Sequence, residues 1–203
     1  MEELIKLINF IQMEYKLLNN KWQKSEDFTR INLHNKQVCD VIQDELILNS
    51  IFKYREFINK NNIQLIMDFK QFNTNTSKVN IRTKNKNSIE YKIRKYTEKK
   101  EKGKIPIDKC LNDLFGIRII CKEKLSYDEI KTAIESKYNN LKCIDSSKQE
   151  YKATHIYFKI DNYQFQWELQ VWNSEDEKNN IYSHEKYKQD YIKWEKEMKR
   201  GEG

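Results

Sequence analysis

Apolar residues recur at helical spacing from the first turn of the chain: Leu4, Ile5, Leu7, Ile8 and Ile11 share one side, which predicts an amphipathic helix. A second helical stretch spans Leu33 to Asn59, with Val38, Val41, Ile42, Leu46, Ile47 and Ile51 as its apolar face. The run "IQLIMDFKQF" (63–72) has the length and β-branched content of a strand, "NTNTSK" reads as a polar loop, and "KVNIRTK" as a short strand. From Asn87 to Lys100 the period is helical again and strongly basic, and "GKIP" then punctuates the chain. Leu114–Cys121 is too short and too β-branched for a helix. Tyr127–Tyr138 is a helix with Ile130, Ile134 and Tyr138 on one side. "LKCIDS", "YKATHIYFKID" and "YQFQWELQVW" are strands, the last two a hairpin across Asn162, and the tail from Glu175 to Lys199 is helical, carrying Tyr187, Tyr191 and Trp194.

This order predicts an α/β (α+β) layered fold: a mixed β-sheet flanked by helices, with N-terminal helices before it and a C-terminal helix closing it. Residues 1–60 form an N-terminal helical extension and 61–203 the sheet-bearing unit. A chain of 203 residues with 12 Tyr, 9 Phe and 4 Trp has material for a buried core, so disorder throughout is excluded although 34% of residues are charged. The net charge of +7 favours polyanionic partners such as nucleotides or RNA. Cys39, Cys110, Cys121 and Cys143 show no zinc-type spacing and read as small core residues of a reducing compartment. No basic leader and no membrane-spanning run stand out, so a cytoplasmic protein without a membrane partner is expected.

Alternation within the strands brings chemistry together. In "FQWELQVW" Trp167, Leu169 and Val171 face one way, and Gln166, Glu168, Gln170 and Trp172 the other. Tyr151, Ala153, His155 and Tyr157 share a face, while Asp113, Phe115, Ile117 and Ile119 alternate with Leu114, Gly116 and Arg118. Three neighbouring strands would thus present Asp113, Glu168, Gln170, Tyr151 and His155 around one patch. Two carboxylates converging on a sheet suggest a hard-cation site, and Mg2+ takes one or two carboxylates together with substrate phosphates. Arg82 and Lys84 end a strand, and Ser88 and Lys92 lie one helical turn apart on the basic helix, a set suited to gripping phosphates.

Five blocks in order carry a resemblance: Arg82-x-Lys84 with Ser88 and Lys92, "DLFGIR" at 113–118, Tyr151 with His155, "ELQ" at 168–170, and "HEKYK" at 184–188. Together, over about Ile63 to Tyr191, they resemble the synthetase domain of RelA/SpoT alarmone enzymes, in its single-domain small alarmone synthetase or toxin form. The resemblance implies a nucleotidyltransferase-like synthetase fold and an ATP-dependent pyrophosphokinase. Such an enzyme moves the β,γ-pyrophosphate of ATP to the 3′-hydroxyl of GDP or GTP to make (p)ppGpp. It implies Mg2+ on Asp113 and Glu168, ATP on Arg82, Lys84, Ser88, Lys92 and Arg118, and the acceptor on Tyr151, His155, His184 and Lys188. Glu168 would help deprotonate the attacking hydroxyl, with Gln170 supporting it.

Two departures fall on the acceptor side. The family has Asn-Gly before the stacking Tyr where this chain has Gln149-Glu150, and Arg-Thr after E-x-Q-x where this chain has Trp172-Asn173. They keep open a toxin-type acceptor, the 3′-CCA end of tRNA or an adenine nucleotide, and with it an antitoxin protein as partner. A non-catalytic RNA- or protein-binding module on the same scaffold is the alternative of another class. Only His34 precedes the synthetase-like part, without a His-Asp pair, so no hydrolase activity is expected.

Overall fold

The computed structural model describes residues 1–99, 101–186 and 189. It is an α+β fold in which a five-stranded mixed sheet packs one face on helices and turns the other to a set of cavities.

The first helix, α1 (Glu2–Gln23), buries Leu4, Leu7, Ile8, Ile11, Tyr15, Leu18 and Trp22 as a single stripe, with Glu2 and Glu3 in the first turn, where acids favour the helix dipole. The stretch read as one helix over 33–59 is two. Asp44 sits in extended backbone between α2 (Val38–Gln43) and α3 (Glu45–Lys60) and caps α3 by accepting from the Leu46 amide at 3.0 Å. The break rotates the apolar face. Val38, Val41, Ile47 and Ile51 stay buried, whereas Ile42 and Leu46 are 57% and 69% exposed.

The run 63–72 is not a strand. Asn62–Phe69 is α4, followed by a single 3-10 turn. Leu65 and Phe69, four apart, are its buried pair, while Ile63 and Met67 are exposed, so the true period is helical and β-branching misled.

The strands are β1 (Ser77–Thr83), β2 (Phe115–Cys121), β3 (Lys142–Asp145), β4 (Thr154–Phe158) and β5 (Trp167–Asn173), in the order β1-β2-β5-β4-β3. Only β2 and β5 run parallel; every other pair is antiparallel. Between them in the chain come the basic helix α5 (Lys86–Lys99), the short α6 (Ile107–Cys110) and α7 (Tyr127–Glu135). Ser126 and Glu129 start α7 with a reciprocal capping box. A helical run over 177–186, α8, follows β5, and the rest of the tail helix read from Glu175 to Lys199 lies outside the described residues.

The buried face of the sheet, with Ile117, Ile119, Leu169, Val171 and Ile156, shares one core with α1 and α3. At its centre the Trp167 ring lies 4.4 Å from Phe115 and 5.4 Å from Tyr15, and its indole N–H donates to the Tyr54 hydroxyl at 2.9 Å. All four cysteines are free thiols, and no helix among the described residues is long and apolar enough to cross a membrane.

Tyr54→Phe removes the acceptor of a buried indole N–H while keeping the ring. It should cost about 1–3 kcal/mol, seen as a lower urea midpoint with an unchanged m-value; an unchanged midpoint would show that Trp167 does not need this partner.

Candidate functional site

Strand register sets the site in two rows on the open face of the sheet. Arg82, Gly116, Glu168 and Tyr157 are aligned across β1, β2, β5 and β4, and Asn80, Arg118, Gln170 and His155 form the next row. Gly116 keeps the floor low between two long side chains: the Arg82 side chain crosses it, 3.5 Å from where a Cβ would stand.

Asp113 is not part of this alternation. The strand begins at Phe115, whose ring points into the core, and Asp113 lies in the turn before it. The parity that grouped Asp113 with Phe115 therefore does not apply. The carboxylate instead meets two ammonium groups, Lys84 Nζ at 2.5 Å and Lys92 Nζ at 3.0 Å. Lys84 is fixed through its backbone: its amide donates to the Leu114 carbonyl, and its own carbonyl accepts from Arg55 Nε at 3.0 Å. Lys92 reaches in from α5 with Ser88 one turn before it, as the spacing predicts.

One carboxylate cannot neutralise two lysines. Burial favours a neutral Asp113, but the charges of Lys92 and Lys84 outweigh it and hold the carboxyl far below the ordinary range. Burial also works against the Lys92 charge, and Asp113 more than compensates, raising its pKa. For Lys84 burial prevails, aided by Lys92 and Arg82, and its pKa is lowered. The cluster holds a surplus positive charge, with Arg82 beside it.

These groups line a cavity of about 510 Å³ together with Glu168, Gln170, His155 and His184. Glu168 is 4% exposed and accepts from Tyr157 Oη at 3.0 Å and Gln170 Nε2 at 2.8 Å; its Oε1 also lies 3.0 Å from His155 Nδ1. Burial alone would raise its pKa; the hydrogen bond from His155, first among the opposing causes, overcomes that and lowers it. Behind His155, its Nε2 meets Tyr151 Oη at 2.9 Å, and Trp172 Nε1 lies 3.3 Å from the same hydroxyl. An indole N–H can only donate. Tyr151 Oη therefore accepts from Trp172; with Nδ1–H turned to Glu168, His155 Nε2 accepts the hydrogen bond of the Tyr151 hydroxyl.

Asp113, Glu168, Gln170, Arg82, Lys84, Ser88, Lys92, His155 and His184 thus share one cavity. Arg118 lines an adjoining pocket of about 280 Å³, with Arg82 and His184 in the wall common to both. Tyr151 lines neither: it stands edge-on to His155, Trp172 and His184, with ring centroids 5.4–6.1 Å away. Lys188 lies outside the described residues. Tyr157 joins the site residues: alternation from His155 puts it on the open face, beside Glu168.

Asp113 and Glu168 fit a magnesium ion in donor type, as two carboxylates lining one cavity. Among the described residues no third His, Cys, Asp or Glu joins them to complete a protein-only cage. The remaining ligands would have to be water and phosphate oxygens.

His184 is pulled down to about 4, first by burial and then by the guanidiniums of Arg118 and Arg82. An unfolded histidine takes up its proton near pH 6.5 and the folded one only near 4. The unfolded state therefore binds more protons between these values, and stability falls as pH drops through that window. The stability of the wild type relative to H184Q should decline from pH 6.5 to 4 in urea titrations; a difference independent of pH would contradict the assignment.

No family model matches the sequence, and no curated protein does. Among solved structures the chain is similar to small alarmone synthetase 1 from Bacillus subtilis, at 17% identity over 77% of this chain and 88% of that one, with a TM-score of 0.42. It is also similar to the same enzyme bound to its product pppGpp, at 17% identity over 75% and 83% with a TM-score of 0.38. Small alarmone synthetase 2 from Bacillus subtilis is 16% identical over 70% of this chain and 79% of that one, with a TM-score of 0.41. All three are small alarmone synthetases, the class whose motifs the sequence resembles.

Proposed function

We propose that the chain is a pyrophosphokinase that takes the β,γ-pyrophosphate from ATP and places it on the 3′-hydroxyl of GDP or GTP. The observation that carries this reading is the Asp113 carboxylate shared by Lys84 and Lys92 in a cavity whose other wall is Glu168. A buried surplus of positive charge calls for a polyanion, and a triphosphate supplies one. The resemblance implies ATP as that triphosphate, with its adenine between the guanidiniums of Arg82 and Arg118, which line one pocket.

In the proposed reaction the acceptor oxygen attacks the β-phosphorus. A new O3′–Pβ bond forms, the bond from Pβ to the oxygen bridging it to Pα breaks, and AMP leaves with that oxygen. Such transfers depend on positioning and on charge stabilisation more than on covalent help. Lys84 and Lys92 give up part of their hold on Asp113 to the phosphates. Glu168 is ionised, accepts the hydrogen bond of the attacking hydroxyl, and takes its proton late, as the O3′–Pβ bond completes. Its lowered pKa makes it a weak base, better suited to orienting that hydroxyl than to removing its proton early. Magnesium bound by Asp113 and Glu168 would supply charge neutralisation on the phosphates and acidify the hydroxyl.

The acceptor approaches over β4. A further cavity of about 440 Å³ lies against Tyr157 and carries Lys109, Lys142 and Lys159, with Asp108 paired to Lys159 at 2.7 Å and to His34 at 3.1 Å. Its basic wall suits the phosphates 5′ of the acceptor ribose, whether these belong to GDP and GTP or to the 3′ end of a tRNA. That wall is the observation that keeps tRNA as the second reading.

The test is incubation with γ-labelled ATP and, separately, GDP, GTP, ATP and bulk tRNA. Label should appear on guanosine nucleotides with shallow salt dependence. Glu168→Gln should lower the rate about 100–1000-fold without loss of fold; Asp113→Asn should lower it as much and also cost about 3–5 kcal/mol of stability, because Lys84 and Lys92 lose their shared anion. Label on tRNA alone, with binding that collapses between low and moderate salt, would install the second reading. No transfer to any acceptor would leave the non-catalytic module.

A further inference from the structure

Trp172 stands where the resembled motif has an arginine, and it is 1% exposed, on the same side of the sheet as Glu168 and Gln170. Its ring carries the Arg118 guanidinium, with Cζ 3.6 Å from the centroid. Arg118 is held at its edges as well: Nε and Nη2 both donate to Gln170 Oε1, at 3.2 and 3.1 Å, and Nη2 lies 3.4 Å from His184 Nε2. His184 in turn stacks on Trp172 at 25° and 5.6 Å, and the Trp172 indole N–H is tied to Tyr151. The guanidinium is thus held on one face by buried Trp172 and at its edges by buried Gln170 and half-buried His184.

Arg118 lines the 280 Å³ pocket with Arg82, Asn80, Gly116, Gln170 and His184, whereas Trp172 does not. One face of the guanidinium is covered by the indole, so the pocket meets the other. We infer that Trp172 is a positioning residue for nucleotide binding, a backing plate that holds Arg118 flat so that its open face stacks on a purine base. This rests on the reading of the site as a nucleotide triphosphate site.

The arrangement answers a physical difficulty. Arg82 and Arg118 face the same pocket, and each guanidinium repels the other; burial and then Arg82 lower the Arg118 pKa to about 10. An unsupported arginine would swing away from such a neighbour and would lose rotamer freedom again on binding the base. The negative face of an indole attracts the cation and fixes the rotamer in advance. A leucine is apolar too but smaller, and offers no such face.

The test measures affinity for a non-hydrolysable ATP analogue and for inorganic tripolyphosphate by calorimetry, both with magnesium. Wild type, W172F, W172L, R118K and the W172L/R118K double variant are compared. W172L and R118K should each weaken the ATP analogue about 5–20-fold, W172F about twofold, and the double variant no more than either alone. Tripolyphosphate affinity should stay unchanged in W172L, because it has no base to stack. Equal weakening of both ligands in W172L would mean a general collapse of the site, and an unchanged ATP-analogue affinity would mean that the indole does not act on the base; either overturns the inference. The wild type gaining nothing from the adenosine moiety overturns it too, and leaves the phosphate site standing. Tight ATP-analogue binding that follows this pattern without any transfer product would sustain it while the proposed reaction fails.

Discussion

Asp113 is the one carboxylate on which three separate segments depend. Lys84 arrives from the end of β1, Lys92 from α5, and Asp113 from the turn that launches β2. The three groups are largely buried, so none is stable alone. Removing one partner from a buried charge cluster typically costs about 3–5 kcal/mol, because an uncompensated charge remains. The cluster therefore closes the corner of the sheet at the place where the candidate chemistry lies. It does so incompletely, with two cations on one anion. A structure that needed only closure would be served by a simple pair; the surplus makes the corner receptive to an anion.

The second constraint is the parallel pairing of β2 with β5. It brings Gly116 beside Glu168 and Arg118 beside Gln170, so that groups some fifty residues apart in sequence share a row. The antiparallel strand β4 extends the rows to Tyr157 and His155. Behind the second row, Trp172, Tyr151 and His184 form an aromatic layer whose polar atoms are used internally, toward His155 and Arg118. Tyr151 thereby reaches Glu168 through His155. Gln149, two residues before it, has φ at +52°, a left-handed backbone that Asn or Gly adopts more readily. The departure from Asn-Gly is thus a change at a strained turn that sets where Tyr151 stands.

Much of this was legible in the residues, for a physical reason. Alternation with a period of two is enforced by the pleat, so "WELQVW" declares that Glu168, Gln170 and Trp172 share the face opposite the core. The i, i+4 spacing of Ser88 and Lys92 is equally binding on a helix. Asp113 escaped parity because it precedes the strand, and a turn obeys no such period. In α4 the β-branched Ile63 and Ile66 spoke for a strand, while burial follows Leu65 and Phe69 four apart. Asp44 broke the helix read over 33–59 through a cap that only its backbone conformation reveals. The inward use of Tyr151 depends on Trp172 and His184, which lie 21 and 33 positions away from it; no local pattern announces that contact.

The central claim is that the corner held by Asp113 is a polyphosphate site with surplus charge. Its most direct test is the affinity of the chain for adenosine, AMP, ADP and a non-hydrolysable ATP analogue, measured in one buffer without divalent metal. The account predicts that affinity climbs steeply with each added phosphate, that Lys84→Ala and Lys92→Ala flatten the climb, and that adenosine affinity is the same in all three proteins. Adenosine binding as tightly as the triphosphate, or a climb untouched by both lysine variants, would contradict it.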